Sequence, residues 1–357
     1  MAQNAILFIP DISGFTEFVH HTAISHSRHI VSELLELLID SNTSDLELAE
    51  IEGDALFLYK IENKVDISII EQQIETMYLA FHTHLKRYEY QRICHCGACS
   101  SAYNLKLKFV VHYGEIEFIT VKESKKPYGS DVIKVHRLLK NEVPIDEYAI
   151  LTENIKKIVV DSEKTITATY DFGKISFTYN PLKHLKERIP EINPIPDNVP
   201  KHKLFDETEI IKLPINDLYE VISNFDYRLL WTKGVDKMEY EKNKVNRIGE
   251  KHKCLFNKND DVVQTTVSKK VKKHQLVYAE STTDVPFTKQ MNSYFILEET
   301  QVGYTKLNIE VFADFKPFGI FMKPLLKSKL KANISESIKE LVLLIGSGFS
   351  LNKPTES

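Results

Sequence analysis

The chain has 357 residues, of which 43% are apolar and 27% charged, a globular composition far from disordered or collagen-like extremes; at roughly 150 residues per domain it predicts about two domains. The formal charge of −4 divides unevenly, residues 1–200 carrying 21 Lys and Arg against 29 Asp and Glu and residues 201–357 carrying 25 against 21; neither half has the concentrated basic face of a nucleic-acid binder. Four cysteines are too few for a disulfide framework, Met1–Pro10 has no secretory pattern, and no apolar run suits a spanning helix, so a reduced, cytoplasmic protein without a membrane span is expected.

Ala5–Ile9 is a short continuous apolar run, the pattern of a buried strand. Ser25–Asp40 places Ile30, Leu34, Leu35, Leu37 and Leu38 at helical spacing. Leu46–Glu52 and Ala55–Lys60 flank Gly53-Asp54, a strong hairpin signal. Ile67–Arg92 reads as a helix, Leu105–His112 and Glu115–Val121 as a second hairpin turning at Tyr113-Gly114, and Val132–Lys140 as a helix stopped before Pro144. This order predicts an α+β sandwich of ferredoxin-like type, with helices on one face of an antiparallel sheet. Pro190, Pro194, Pro196 and Pro200 mark an extended connector, because proline fixes φ and removes a donor. Beyond it, Val235–Glu241, Lys251–Phe256, Asp261–Lys269, Leu276–Thr283, Gln290–Glu299 and Tyr304–Ala313 are successive strand candidates. Leu325–Ile345 follows as a helix with one long apolar face (Leu326, Leu330, Ile334, Ile338, Leu341, Val342, Ile345). An antiparallel meander around such a helix leaves a cleft in which apolar ligands bind.

Two constellations bear on phosphate chemistry. Pro10-Asp11-Ile12-Ser13-Gly14-Phe15-Thr16 follows the first strand, and Glu52-Gly53-Asp54-Ala55-Leu56-Phe57 spans the first hairpin turn. In a ferredoxin-like sheet these two places are neighbours, so Asp11 and Asp54 converge. Two hard carboxylates with a carbonyl near Ile12 suit Mg²⁺ or Mn²⁺ holding a triphosphate, and Gly14 opens a helix whose free N–H groups face phosphate oxygens. The plainer alternative is that Asp11 caps that helix and Asp54 serves the turn. A third constellation, Cys94-His95-Cys96-Gly97-Ala98-Cys99, offers soft ligands for Zn²⁺, or reduced loop thiols. Nucleophile-elbow, P-loop and Rossmann signatures are absent from the sequence.

Phe8–Thr16 and Ile51–Phe57 resemble the metal-binding segments of class III nucleotide cyclases. Lys106–Glu115, ending His112-Tyr113-Gly114-Glu115, resembles that family's next hairpin, and Tyr128–Leu138 its last catalytic segment. The likeness runs in order over about residues 4–155, and the whole first half resembles a cyclase-like bacterial family, the domain of unknown function 2652 (DUF2652). The resemblance implies metals on Asp11, Ile12 and Asp54, phosphates near Gly14, Phe15 and Thr16, and a head-to-tail homodimer whose second subunit supplies a transition-state Asn and Arg. Arg137 matches the Arg; the Asn position holds Ile133, which cannot hydrogen-bond a ribose. At the base-selecting pair this chain carries Glu50 and Lys126 where adenylate-specific members carry Lys and Asp.

Ile215–Tyr227, Trp231, Gly234-Val235 and the following strand series resemble the START-like, polyketide-cyclase-type (SRPBCC) helix-grip family. The resemblance implies an apolar small-molecule cavity, with Trp231, Tyr240, Tyr278, Phe295, Phe312 and Phe315 as lining candidates; each serves equally as ordinary core. The expected organisation is a cyclase-like domain over 1–188, a proline-rich linker over 189–203, a helix-grip domain over 204–348 and a tail over 349–357. The expected function is a metal- and nucleotide-binding module, degenerate or weakly active, fused to an apolar-ligand module in a ligand-regulated signalling protein. The rivals are an active guanylate or adenylate cyclase and a non-catalytic dimerisation platform for a ligand carrier.

Overall fold

In the computed structural model the described residues are 2–20, 24–91, 100–156, 165–170, 173–192, 198–242, 246–256, 260–269, 274–349 and 351. The chain divides into two compact units, Met1–Glu89 with Gly97–Ile192, and Tyr90–Cys96 with Asn193–Ser357. Both units are mixed helix and strand, and none of the helices is long and apolar enough to cross a membrane among the described residues.

The first unit runs β1 (Gln3–Ser13), α1 (Phe15–His20), α2 (Ile24–Asp40), β2 (Glu47–Glu52), β3 (Ala55–Ile61), α3 (Ile67–Tyr90), β4 (Lys106–Val121), β5 (Ser124–Tyr128), α4 (Ser130–Arg137), β6 (Tyr148–Thr152), α5 (Glu153–Lys156), β7 (Thr165–Tyr170) and β8 (Gly173–Pro181). The sheet order is β2-β3-β1-β4-β6-β8-β7, with β5 paired to β4. Within β1, Ala5, Leu7 and Ile9 join Val135 and Leu138 of α4 in one core cluster. Ile6 and Phe8 point the other way, toward Ile70 and Gln73 of α3. Helices therefore cover both faces, not one, which is why the β1 run is continuously apolar rather than alternating. The sheet also departs from the expected antiparallel pattern at one place, since β4 and β6 are parallel.

The expected hairpin at Tyr113-Gly114 does not form. β4 is a single strand of 16 residues, and Tyr113 and Gly114 continue its ladder opposite Ile6 and Ala5. The turn comes later, at Lys122-Glu123, where Lys122 has φ 54° and Val121 pairs with Ser124. Gly114 serves a different purpose, because a Cβ there would fall inside the Asp131 carboxyl group. Glycine within a strand marks the close approach of another group.

The second unit comprises β9 (His202–Ile211), α6 (Ile215–Ser223), α7 (Phe225–Arg228), β10 (Lys237–Glu239), β11 (Lys251–Phe256), β12 (Asp260–Val267), β13 (Gln275–Thr282), β14 (Thr288–Gln301), β15 (Tyr304–Phe315) and α8 (Lys323–Gly346). Its sheet is antiparallel throughout, in the order β10-β11-β12-β13-β14-β15-β9. The apolar stripe expected along α8 is fully buried only at Ile338 and Leu341; Leu326, Leu330, Ile334 and Ile345 are half-buried and Val342 is exposed.

Gly114→Ala should destabilise the first unit by about 1–3 kcal/mol, the usual cost of overpacking. Urea denaturation followed by intrinsic fluorescence checks this; an unchanged midpoint would mean that Asp131 does not lie against Gly114.

Candidate functional site

Register decides what the end of β1 meets. Asp11 stands opposite Ala55 on β3 and opposite Lys108 on β4. Paired residues on adjacent strands share a face, and Lys108 Nζ lies 3.0 Å from Asp11 Oδ2, both side chains being largely buried. Asp54 occupies the two-residue turn between Glu52 and Ala55, with Gly53 at φ 67° as its first residue. The Ile12 N–H donates to the Asp54 carbonyl at 3.1 Å and stitches the turn to β1. Two carboxyl groups thus share one rim. Burial pushes the Asp54 carboxyl above its ordinary value, the Asp11 charge adds to this, and a backbone hydrogen bond and Lys108 offset part of it. Like charges so placed are relieved by a cation, and Asp11, Asp54 and the Ile12 carbonyl are hard oxygen donors of the kind Mg²⁺ and Mn²⁺ take. The described residues include no group of three or more His, Cys, Asp or Glu placed to hold a metal, so an ion here would rest on two carboxylates and backbone.

A cavity of about 780 Å³ is lined by Ser13, Gly14, Phe18, Asn104, Lys106 and Asp146 among others; Asp11, Asp54 and Lys108 are not in its lining, and its wall begins at the next same-face pair of the ladder. Lys106 pairs with Ser13 across the ladder, two residues from the Asp11–Lys108 pair, and its ammonium lies 2.5 Å from Asp146. Gly14, at φ 85°, is exposed with no atom near its Cα position for a Cβ to meet; Phe15 is half-buried and Thr16 exposed. Lys108 and Lys106 are the cations that sequence reading passed over, since only the β1–β4 register reveals what they face.

The helix α4 is anchored by Asp131. Its Oδ1 accepts from His112 Nε2 at 3.0 Å and from Lys134 Nζ at 2.7 Å, and its Oδ2 accepts the Glu115 N–H at 2.9 Å. His112 Nδ1 meets the Thr152 hydroxyl at 2.8 Å, so one tautomer satisfies both partners. Burial alone would raise the Asp131 carboxyl, but these hydrogen bonds and the His112 charge hold it far below the usual carboxylate range. His136 Nε2 lies 2.8 Å from Glu52 Oε1, tying α4 to the hairpin that carries Asp54. On this fixed helix Ile133 is 53% exposed, and Arg137 is exposed on the last turn. Glu50 and Lys126 come together, Nζ to Oε1 at 2.7 Å. Cys94, His95, Cys96 and Cys99 lie outside the described residues.

In the second unit the six aromatic candidates do not form one set. Trp231 and Tyr278 both pack on Phe295, at ring centroids of 6.4 and 5.9 Å. Phe312 pairs with Asn292 and packs on Tyr294, on the opposite face of β14 from Phe295. Tyr240 packs on Phe225 and donates its hydroxyl to Asp226. Phe315, at the end of β15, packs on His202. Nor is this interior purely apolar. Arg228, buried among Trp231, Tyr278 and Phe295, donates from one terminal nitrogen to both Glu280 oxygens at 3.1 and 2.9 Å. The Tyr278 hydroxyl donates to Glu280 Oε1 at 2.8 Å, and His252 Nε2 lies 3.5 Å from that oxygen. Arg228 Nε and both His252 ring nitrogens make no hydrogen bond among the described residues. Periodicity alone could not have found this cluster, because polar residues at core positions read as solvent-facing.

Comparison with known proteins bears on the first half. A family model described as "Protein of unknown function (DUF2652)" matches residues 31–148. An uncharacterized protein of Mycobacterium tuberculosis (Rv2561/Rv2562) is 32% identical over 177 residues, 49% of this chain and 80% of that protein. Among solved structures, the adenylyl cyclase CyaB from P. aeruginosa is similar with a TM-score of 0.36 and 11% identity over 50% of this chain and 95% of that one. The guanylate cyclase domain of RhGC from Catenaria anguillulae, solved with GTP, has a TM-score of 0.38 and 10% identity over 50% of this chain and 97% of that one. The similarity to nucleotide cyclase domains is thus one of low TM-score and low identity.

Two measurements probe the geometry. Replacing Asp11 with Asn removes the like charge beside Asp54, so the Asp54 carboxyl should titrate at lower pH in carboxyl-detected NMR; an unmoved titration would separate the two groups. Asp131 titrates lower folded than unfolded, so its stabilisation is complete above about pH 4 and is lost as pH falls toward the folded value. Asp131→Asn should therefore lose stability to the wild type at pH 6, with the gap closing between about pH 4 and 2. Denaturation in urea at stepped pH reads that gap, and a pH-independent difference would refute the assignment.

Proposed function

The chain belongs to the family described as a protein of unknown function (DUF2652), and from that premise we propose that its first unit binds a nucleoside triphosphate through Mg²⁺ or Mn²⁺, with weak or absent turnover. The observation that carries this reading is the meeting of Asp11 and Asp54 at one rim, with Lys108 on the same face as Asp11 and, two residues further along the ladder at Ser13 and Lys106, the wall of a cavity of about 780 Å³. Cavities of roughly 300–1,000 Å³ suit small-molecule ligands. A divalent cation bound there would neutralise phosphate charge and polarise phosphoryl oxygens. Lys108 adds a fixed positive charge from the protein, and Gly14 lines the cavity, with Phe15 and Thr16 following it in the chain.

The reading of weak turnover rests on Ile133. Its side chain stands exposed where the cyclase resemblance calls for Asn, and it can neither donate nor accept a hydrogen bond. The exposed ion pair of Glu50 and Lys126 supports a base preference unlike that of adenylate-specific cyclases. We read the first unit as a ferredoxin-like core that works as a homodimer, in which Arg137 reaches the partner's site. Exposed Leu48, Ile51, Ile119, Val121, Tyr128 and Ile133, on β2, the β4–β5 hairpin and α4, support an apolar subunit contact. The second unit reads as a helix-grip module for a small molecule that is mainly apolar, with Arg228 and Glu280 as a polar floor. Zinc at Cys94, Cys96 and Cys99 remains a separate proposal, decided by metal analysis of Cys96→Ser against the wild type.

Calorimetry with Mn²⁺ and nonhydrolysable GTP or ATP should give metal-dependent binding that Asp11→Ala or Asp54→Ala weakens at least about tenfold, the effect of losing a charged contact. No heat with the wild type would leave the dimerisation-platform reading. Ile133→Asn should raise cyclic-nucleotide formation by about 10²–10³-fold, the usual worth of one positioned transition-state contact. Rapid product formation by the wild type would favour the active-cyclase reading.

A further inference from the structure

The loop between β15 and α8 carries an apolar wedge with no counterpart in the readings above. Phe318 is 83% exposed and Phe321 is 77% exposed, and Phe287, in the loop before β14, is 48% exposed. Folding alone gains nothing from leaving such rings in water, each of which would bury a large apolar area elsewhere.

The backbone holds them there. Phe287 and Phe318 both have positive φ, 67° and 64°, a conformation that bulky residues rarely adopt and that is costly to maintain. The two loops are clamped together: the Lys316 N–H donates to the Phe287 carbonyl at 2.9 Å, and the Gly319 N–H to the Lys316 carbonyl at 2.8 Å. Gly319 also packs so tightly on the Phe287 carbonyl that any Cβ there would overlap it. The wedge is therefore a built feature of two tied loops and not a frayed end.

Charge along the segment that carries Phe318 and Phe321 is of one sign. From Phe315 to Ser335 the chain contains Lys316, Lys323, Lys327, Lys329 and Lys331 and no Asp or Glu, although the whole chain has a net charge of −4. Lys331 pairs with Glu207 at 3.2 Å, whereas no carboxylate among the described residues pairs with the other four. The nearest acids of the two loops are engaged elsewhere, Asp284 accepting the Val263 N–H and Asp314 the Lys201 N–H. The first turns of α8 add an exposed Leu325 between lysines.

We propose that this face docks on the surface of an anionic lipid bilayer, with Phe318 and Phe321 inserted at headgroup depth and Lys316, Lys323 and Lys327 against lipid phosphates. A bilayer presents what these residues lack: a continuous anionic layer with an apolar layer directly beneath it. Rings and lysines alternate along this segment, from Lys316 through Phe318, Phe321 and Lys323 to Leu325 and Lys327, and that mixture of apolar and basic groups suits a layered surface better than the apolar centre and charged rim of a protein interface. The proposal is independent of the nucleotide reading, since it involves only the second unit.

The test is co-sedimentation of the full chain with vesicles of phosphatidylcholine alone and of phosphatidylcholine with about one third phosphatidylglycerol. Binding is expected only to the anionic vesicles, and it should fall as salt is raised, because surface charges are screened. The triple substitution Lys316→Ala, Lys323→Ala, Lys327→Ala should weaken binding by about 10²-fold, each lysine near an anionic surface being worth roughly fivefold. Phe318→Ser with Phe321→Ser should weaken it at least about tenfold, from loss of apolar insertion, with an unchanged thermal transition because neither ring is packed. Equal binding to both vesicle types, no binding to either, or unaltered binding by both variants would overturn the proposal. So would a wild type that ignores vesicles but self-associates in sedimentation equilibrium through the same two Phe residues, which would assign the face to a second copy of the chain.

Discussion

A central strand clothed on both faces can carry polar side chains only at its ends, and that constraint organises the first unit. β1 lies between β3 and β4, with α3 on one side and α4 on the other. A charged group midway along it would pay the full cost of desolvation. Asp11 is the first carboxylate after the apolar run, and it sits where the β3 ladder ends and the hairpin turn begins. The turn hydrogen bond from Ile12 then fixes Asp54 beside it, so one register determines both acids, the lysine opposite them and the cavity wall at Ser13. The result is a half-buried site with two negative groups and one positive group. Such a site is unbalanced by itself, and the cation proposed for it would correct the imbalance.

The second unit meets the same cost by a different route. Arg228 and Glu280 are both buried, and they neutralise one another through two contacts while three aromatic rings surround the guanidinium. A buried ion pair is weak support for stability, because desolvation consumes most of its Coulomb energy. What it does supply is a fixed polar floor in an otherwise apolar interior. Arg228 Nε and the His252 ring nitrogens, which make no hydrogen bond among the described residues, leave hydrogen-bonding capacity beside that pair, and buried capacity of this kind calls for a polar partner. The first unit is thus short of positive charge, while the second is charge-balanced and short of hydrogen-bond partners.

Much of this was legible in the residues. The unbroken Ala5–Ile9 run gave away a buried strand, though not that helices cover it on both sides, and Gly53-Asp54 gave away its hairpin, because local turn chemistry and apolar continuity are properties of neighbours in sequence. Contacts between distant residues were not legible. Tyr113-Gly114 reads as a turn until Asp131, seventeen positions further on, is seen to need the space that a Cβ would fill. Lys108 reads as an ordinary surface lysine until the ladder sets it opposite Asp11. The β9 strand, Phe312 on the far face of β14, and the half-exposed α8 share this cause: which face a residue joins depends on register, and register depends on the whole sheet.

The position of Ile133 follows from the same reasoning. An apolar side chain on an exposed helix face is ordinarily of little consequence, but α4 is not free to adjust. Asp131 is held by His112, Lys134 and the Glu115 N–H, His136 is held by Glu52, and Val135 and Leu138 are sunk in the core. With four of the helix's nearest positions fixed, the direction of Ile133 is fixed too. Whatever approaches this position meets a branched aliphatic side chain and no hydrogen-bonding group. The proposed binding without efficient turnover rests on that fixed apolar group, because a sugar hydroxyl brought against it would lose its hydrogen bond to water and gain none in return.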